Sequence, residues 1–222
     1  MTGPNGAGKT NLLEALHVGT QGFSPRTRAD TQLVRLGADG ARERDAVAPW
    51  TAQVAGLGAE LVAARREAIA LLSPAFRERA GELGLPDGAL DYDGEPPTAE
   101  LLDARLDRDL ERGVTGLGPH LDDVVVRSGP RELRTFGSQG EQRLAVLSLL
   151  LGEAEVLAER RGVAPLVLLD DVLSELDAGR RRILGERIGA AGQAVVTATG
   201  ADALPLEPAQ LLAVTPGRVE RA

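Results

Sequence analysis

The chain has 222 residues, with 33 acidic and 25 basic side chains, two histidines and no cysteine. This length can bury a sizeable core, in one large domain or two small ones. The absence of cysteine excludes disulfides and thiolate metal sites, and it fits a reducing cytoplasm. No apolar run reaches the roughly 18 residues of a membrane span and no secretory leader is visible, so we expect a cytoplasmic protein with no membrane partner.

The net charge of −8 is a local property of the chain. Residues 82–111 contain ten acids and two arginines, whereas the remainder has 23 residues of each sign. The acidic balance therefore leaves contact with DNA elsewhere on the chain possible. We interpret the acidic segment as a solvated linker and helix face rather than as a docking surface.

The first ten residues carry a complete phosphate-binding P-loop pattern, GPNGAGKT. Its glycines allow backbone N–H groups to converge on phosphate oxygens. Lys9 is the only lysine of the chain and supplies charge for the β- and γ-phosphates, while the Thr10 hydroxyl is placed to bind Mg²⁺. The predicted nucleotide-binding residues are Gly3, Pro4, Asn5, Gly6, Ala7, Gly8, Lys9 and Thr10.

A P-loop normally hangs from a buried strand, but only Met1 and Thr2 precede this one. We expect either that another strand takes that place or that the chain is a shortened version of a longer one. A helix is predicted behind the loop, over residues 11–19. In the basic stretch that follows, Gln32 is either a sensor of the γ-phosphate or a surface glutamine.

A long helix is predicted from Pro49 to about Leu72. Its apolar residues alternate at steps of four and three over three heptads, as in the a/d seam of a coiled coil. The seam consists of Trp50, Val54, Leu57, Leu61, Ala64, Ala68 and Leu71. It calls for a partner helix, and the alternative is a helix packed on the body of a globular domain.

The rest of the chain alternates between predicted elements. Residues 81–97 predict a linker, Thr98 caps a helix that ends at Arg112, and residues 122–136 predict two strands around a turn. Helices over 140–161 and 178–188 then alternate with strands over 166–169 and 194–199, and a last pair of strands surrounds Pro216. This order indicates a parallel α/β sheet with ligands at the carboxyl ends of its strands.

Asp170 and Asp171 follow an apolar strand directly, which is a Walker B pattern. A buried strand that ends in this way delivers a carboxylate into the P-loop cleft. Asp170 is therefore predicted to hold Mg²⁺ opposite Thr10, and Asp171 stands where the attacking water would be polarised. These two acids are the predicted catalytic residues.

A second anion site is predicted where Ser138 opens a long helix after a turn at Gly137. The site combines a serine hydroxyl, Gly140 with its room for close approach, and a helix N-terminus. One ATP does not need two such sites, so we expect this loop to close on nucleotide held by the P-loop of a partner. The alternative is that Ser138 is an ordinary N-cap.

Together these motifs resemble the RecF family of DNA replication and repair ATPases, relatives of the SMC-type heads. The resemblance rests on GPNGAGKTNLLEAL, GPHLDD, SQGEQR and LVLLDDVLSELDAGRR, and it covers residues 3–16 and 116 to about 199. It implies that Ser138 to Gln142 form the signature and that Asp177 belongs to the D-loop.

The implied fold is α/β, an ABC-type P-loop NTPase head with a mainly parallel sheet and a helical, coiled-coil-like arm. Residues 1–45 would be the P-loop part of the head, residues 46–113 the arm and acidic linker, and residues 114–222 the rest of the head. Leu121 stands where the family usually has arginine, and Thr199 stands where a histidine is expected. The strands before the P-loop and much of the region between first lobe and arm are missing.

The same resemblance implies a function in recombinational repair of gapped DNA and in the SOS response. The chain would bind ATP and Mg²⁺, form an ATP-dependent homodimer, bind single- and double-stranded DNA without sequence preference, and act with RecO- and RecR-type proteins. Weak ATP hydrolysis is expected if the nucleotide site is complete. Two alternatives stay open: the nucleotide-binding subunit of an ABC transporter, and a non-catalytic remnant that only binds partners.

Overall fold

The computed structural model describes residues 44–190, 192–200, 204 and 207–221. The P-loop, Gln32 and the basic residues before Arg44 lie outside these described residues. Among the helices that are described, none is long and apolar enough to cross a membrane.

The first described helix, α1, runs from Arg44 to Glu82 and is longer at both ends than predicted. It continues through Pro74, although proline lacks the N–H that an interior helical position normally donates. Phe76 and Ala80 are fully buried beyond this point. Burial of a side chain as large as Phe76 contributes about 1.5–3 kcal/mol, which helps to offset the cost of the proline.

The predicted seam of α1 is not the face that packs against the rest of the protein. Trp50 is 61% exposed and Leu57 is 63% exposed. The buried positions lie one residue further along, at the heptad spacing of Ala55, Val62, the partly buried Ile69 and Phe76. The heptad period was therefore predicted correctly, but α1 is a helix packed on the body of the domain, as the alternative prediction held.

Three strands form an antiparallel sheet beside α1. They are β1 (Gly88–Asp93), β2 (Asp123–Ser128) and the two-residue β3 (Arg131–Glu132), in the order β1-β2-β3. The predicted linker over 81–97 is therefore wrong for residues 88–93. Leu90 is buried in the same cluster as Phe76, and this tertiary contact favours a strand that local composition did not predict.

The predicted helix after Thr98 is confirmed as α2 (Ala99–Arg112). The Thr98 hydroxyl accepts a hydrogen bond from the Leu101 N–H at 3.3 Å, and Gly113 ends the helix in the left-handed conformation. Leu102 and Leu106 are its buried residues. The predicted second strand of the hairpin is shorter than expected because residues 133–136 form a one-turn helix, α3.

The C-terminal third alternates as predicted. Its elements are α4 (Gln139–Arg161), β4 (Val167–Asp170), a 3₁₀ turn (Val172–Glu175), α5 (Ala178–Ala190), β5 (Ala194–Thr197), β6 (Leu212–Thr215) and β7 (Arg218–Arg221). β4 and β5 pair in parallel, while β6 and β7 form an antiparallel hairpin. The main core cluster lies here, with Leu169, Leu173 and Leu184 almost completely buried. Because β4 contributes to this core, the core holds in place the edge of the sheet at which the carboxyl end of β4 lies.

A network of ion pairs fastens the end of α1 to α4 and α5. Arg79 is 3% exposed and pairs with Glu82 at 2.8 Å and with Glu155 of α4 at 3.3 Å. Arg187 of α5 donates from Nε to Glu82 at 2.9 Å. The Arg180 Nε donates to the Leu83 carbonyl at 2.9 Å. The helices that carry the predicted signature and the predicted D-loop are thus both anchored on the same helix end.

Candidate functional site

The carboxyl end of β4 presents the two acids of the predicted Walker B motif. Val167 and Leu169 are buried, so the strand is held in the core, whereas Asp170 and Asp171 are exposed at its end. Asp171 adopts a left-handed backbone conformation, with φ 52° and ψ 25°, and opens the 3₁₀ turn. The two carboxylates therefore leave the strand at a sharp turn rather than along an extended chain.

Thr197 is the residue that supports this turn. It is fully buried and lies opposite Asp170 in the parallel register of β4 and β5. Its hydroxyl donates to Asp170 Oδ1 at 2.7 Å and accepts from the Asp171 N–H at 2.9 Å. On the other side, the Ser174 hydroxyl donates to the Asp171 carbonyl at 2.9 Å. Both peptide groups of Asp171 are thereby held.

The predicted signature loop ends in a complete capping box. The Ser138 hydroxyl accepts from the Glu141 N–H at 3.2 Å, and the Glu141 carboxylate accepts from the Ser138 N–H at 2.8 Å. Ser138 is thus an N-cap, as the alternative prediction held. The Ser138 side chain is exposed, and its predicted contact with the nucleotide of a partner stays a prediction.

Gln142 holds the loop in place from within α4. Its side-chain Nε2 donates to the Leu133 carbonyl at 2.9 Å, with longer contacts of 3.3 Å to the carbonyls of Arg134 and Gly137. These are carbonyls from α3 and its end, and the Leu133 carbonyl also accepts from the Gly137 N–H at 3.0 Å. In this arrangement the Gln142 amide positions the signature loop, and its predicted contact with nucleotide stays a prediction.

Glu141 is the most strongly perturbed acid of the loop. Hydrogen bonds from the Ser138 backbone, and then from Arg131 and the Ser138 hydroxyl, lower the pKa of Glu141 to about 2. The ordinary value is 4.5, so the folded state binds a proton less readily than the unfolded state. The stabilisation from this group is therefore present above pH 4.5 and is lost as the pH falls towards 2.

We expect Glu141→Gln to flatten the acid limb of the stability profile. Because glutamine does not titrate, the free energy of unfolding should fall less steeply between pH 5 and pH 2.5 than in the wild type. Denaturant titrations across this range measure the slope. Glu153→Gln, on the exposed face of the same helix, controls for the change of charge. Wild-type and Glu141→Gln slopes that run parallel would contradict the assignment.

Asp177 of the predicted D-loop caps α5. Its Oδ1 accepts from the Arg180 N–H at 3.0 Å, and its Oδ2 pairs with the Arg180 guanidinium at 3.0 Å. The backbone hydrogen bond from Arg180 is the main cause that lowers the pKa of Asp177. The carboxylate is therefore ionised and fixed in direction at the helix N-terminus, close to the anchor between Arg180 and α1.

A cleft of about 730 Å³ brings several predicted residues together. One wall carries Gln139, Gln142 and Arg143 at the start of α4, and the other carries Asp170 and Asp171 at the end of β4. Apolar side chains of α4 and β4 form its floor, with Val146 as an exposed member. Ser138, Gly140 and Asp177 do not line this cleft.

Two positions where the sequence departs from the expected pattern lie on the surface. Leu121 is 60% exposed in the turn before β2. Beside it, Asp122 accepts from the Tyr92 hydroxyl at 2.5 Å, and Arg65 of α1 donates to the Pro119 carbonyl at 2.5 Å. This turn therefore joins the first sheet to α1. Thr199 is exposed two residues after Thr197.

The residues at the end of β4 fit a magnesium ion chemically. Mg²⁺ prefers hard oxygen ligands and is commonly bound by one or two carboxylates together with substrate phosphates and water. Asp170 offers an oriented carboxylate of this kind. In the described part of the chain no three His, Cys or acidic side chains cluster as a self-sufficient metal site. The prediction that Asp170 holds Mg²⁺ opposite Thr10 stays a prediction, because Thr10 lies outside the described residues.

Comparison with known proteins identifies the family. No family model matches the chain. The chain is 35% identical over 201 residues to the DNA replication and repair protein RecF of Desulfitobacterium hafniense, covering 85% of this chain and 55% of that protein. It is 42% identical over 170 residues to RecF of Anaeromyxobacter dehalogenans, covering 68% of this chain and 45% of that protein. This chain belongs to the RecF family.

The fold agrees with this assignment to the RecF family. A solved structure of the recombination mediator protein RecF with ATP, in the RecFOR pathway, superposes with a TM-score of 0.68 at 23% identity. The superposition covers 99% of this chain and 59% of the chain in the solved structure. The predicted fold class, an ABC-type ATPase head, is confirmed. The chain spans about half the length of the curated RecF relatives it matches.

Sequence reasoning missed Thr197 as a member of the site. A signal was available, because Thr197 is a polar residue in the otherwise apolar strand AVVT that follows Walker B. In a parallel sheet the ends of two such strands lie side by side. The role of Gln142 as a clamp on α3 had no comparable signal, because α3 itself was not predicted.

Proposed function

We propose that this chain is a RecF-type ATP-binding protein that acts in DNA repair, with ATP held between two copies. The observation that carries the proposal is the placement of Asp170 and Asp171 at the carboxyl end of β4, facing a cleft whose other wall is the start of α4. In this proposal the P-loop supplies Lys9 and Thr10 to the phosphates, Asp170 shares the Mg²⁺ ion, and Asp171 orients the attacking water. ATP hydrolysis is weak.

The signature loop is proposed to act on the nucleotide of a second copy. Gly140 supports this idea, because a β-carbon built there would meet no described atom closer than the Ser138 hydroxyl at 4.0 Å. Glycine within a helix costs roughly 0.5–1 kcal/mol relative to alanine. Packing among the described residues therefore does not explain why position 140 is a glycine. Close approach by the phosphates of a partner's nucleotide would explain it.

Ser138→Arg tests this arrangement. The variant should bind ATP nearly as well as the wild type, because the P-loop is untouched, but it should fail to dimerise, because the long side chain fills the space meant for the partner's nucleotide. Glu153→Arg, which places the same residue on an exposed position of α4, is the matched control. ATP binding and ATP-dependent light scattering should be measured for both variants. Dimerisation of Ser138→Arg at the wild-type ATP concentration would overturn the in-trans signature.

DNA binding is proposed to be electrostatic and independent of sequence. No base-reading motif is present, and the candidate basic residues are Arg26, Arg28, Arg35, Arg42 and Arg44. The affinity for DNA should fall as the salt concentration rises. A plot of the logarithm of the binding constant against the logarithm of the salt concentration should have a slope of about −0.9 for each duplex phosphate that the protein neutralises. Fluorescence anisotropy from low to high salt checks this, with duplexes of unrelated sequence as the control. A flat salt profile, or strong discrimination between duplexes, would count against the proposal.

The remaining parts of the proposed function extend the repair assignment. The relatives are DNA replication and repair proteins, and the solved structure is that of a recombination mediator protein in the RecFOR pathway. We propose that this chain likewise acts with RecO- and RecR-type proteins at gapped DNA in the cytoplasm, including during the SOS response. Co-purification with those two partners from the same organism, in the presence of ATP and DNA, tests this part.

A further inference from the structure

The buried hydroxyl of Thr197 makes two hydrogen bonds, one with each residue of the predicted Walker B pair. It donates to the side chain of Asp170 and accepts from the backbone of Asp171, at 2.7 Å and 2.9 Å. The side chain has no exposed surface, so water cannot replace either bond. One hydroxyl thereby links the direction of the Asp170 carboxylate to the position of the Asp171 peptide.

The chemistry of threonine suits this task. A β-branched side chain has few χ1 choices, so the hydroxyl of Thr197 is held in one direction by its own strand. An Asp side chain at an exposed strand end would otherwise be free to rotate. Fixing Oδ1 of Asp170 also fixes the direction in which its second oxygen is offered, which is how an outer hydrogen bond tunes a metal-binding carboxylate.

We propose that Thr197 is a positioning residue for the nucleotide-bound metal, because it orients Asp170 and holds the Asp171 turn from the neighbouring strand. The inference rests on the proposed function, since it presumes that Asp170 binds the Mg²⁺ of bound ATP. Thr197 is not itself proposed as a ligand of the metal or of the nucleotide. It differs in kind from the motif residues, because it acts through Asp170 and Asp171 alone.

The test compares Thr197→Val with Thr197→Ser in the full chain. Valine keeps the branched shape and loses the hydroxyl, while serine keeps the hydroxyl and loses the methyl group. Equilibrium binding of a fluorescent, non-hydrolysable ATP analogue is measured once in saturating Mg²⁺ and once in EDTA. The affinity in Mg²⁺ divided by the affinity in EDTA reports how well the protein couples metal to nucleotide.

For Thr197→Val we expect this ratio to fall by about 10-fold or more, in the range found when an outer hydrogen bond to a metal ligand is removed. The affinity in EDTA should be unchanged. Thr197→Ser should retain the wild-type ratio, even if its thermal midpoint is lower than that of Thr197→Val. A merely structural role would lower stability without separating the two affinities.

The contrary outcomes are distinct. If the wild type shows the coupling and Thr197→Val has the same ratio, the positioning role is wrong while the proposed function stands. If the wild type binds no nucleotide in either condition, the proposed function fails and this inference fails with it. Should Thr197→Val not fold, Thr197→Ser and Thr197→Ala form the comparison, because they differ only in the hydroxyl. Equal ratios for that pair would likewise overturn the inference.

Discussion

Asp171→Asn is expected to leave ATP bound but to slow its hydrolysis by about 10²-fold or more, the range typical of a lost general base. Asparagine keeps the size of the side chain and loses the charge that orients the attacking water. The backbone should be preserved, because asparagine tolerates the left-handed conformation that Asp171 adopts at φ 52°. Single-turnover hydrolysis and nucleotide binding, measured on the same preparation, separate the two effects.

The chain offers a close control for this substitution. Asp87 is the other non-glycine residue with positive φ among those described, at 51°, and it lies in the turn before β1. Asp87→Asn makes the same chemical change in a similar backbone conformation, outside the residues that line the cleft. Its hydrolysis rate should equal that of the wild type. Unchanged turnover in Asp171→Asn would move the catalytic role to another residue.

Lys9→Ala is expected to reduce ATP affinity by about 100-fold or more, because each charge-assisted hydrogen bond is worth roughly 1.5–3 kcal/mol and the ammonium group serves two phosphates. The proposal depends on the P-loop pattern and on Lys9 being the only lysine. Isothermal titration with ATP and Mg²⁺ measures the loss. Arg26→Ala, which removes one positive charge from the same N-terminal segment, should bind ATP normally.

Retention of ATP affinity by Lys9→Ala to within a factor of two would remove the P-loop assignment. It would also favour the view of the chain as a partner-binding remnant, since Lys9 is the cation that the P-loop pattern assigns to the β- and γ-phosphates. Equal losses in Lys9→Ala and Arg26→Ala would point to general electrostatic attraction instead of a specific phosphate contact.

The C-terminal third of the fold could be predicted because its local signals agree with its tertiary contacts. Apolar runs that end in acids, glycine stops and regular alternation all indicate strands β4 and β5 with α4 and α5 between and around them. The arm region was harder. Pro74 is a local signal for the end of a helix, and the acidic, glycine-containing stretch around Gly88 is a local signal for a linker. The burial of Phe76 and Leu90 in one core cluster overrides both signals.

The candidate site was likewise predictable only in part. Asp170 and Asp171 were predictable because the chain also carries a P-loop pattern. In such a chain, a buried strand followed directly by two acids has few interpretations other than Walker B. The two hydrogen bonds of Thr197 depend on the register between β4 and β5, which the sequence does not state. The clamp by Gln142 depends on α3, a single turn of four residues with no helical period to detect. Side chains that act across elements therefore became visible only in the fold.

Sedimentation velocity of the hydrolysis-deficient Asp171→Asn variant, with and without saturating ATP and Mg²⁺, tests whether two copies of the chain enclose bound ATP. The variant should be monomeric without nucleotide and should shift to a dimer with ATP, because the signature loop of each copy closes on the nucleotide of the other. ADP should produce no shift, since the γ-phosphate is the group that the second anion site would contact. A chain that binds ATP at saturation and still sediments as a monomer would contradict ATP-dependent dimerisation through the signature loop.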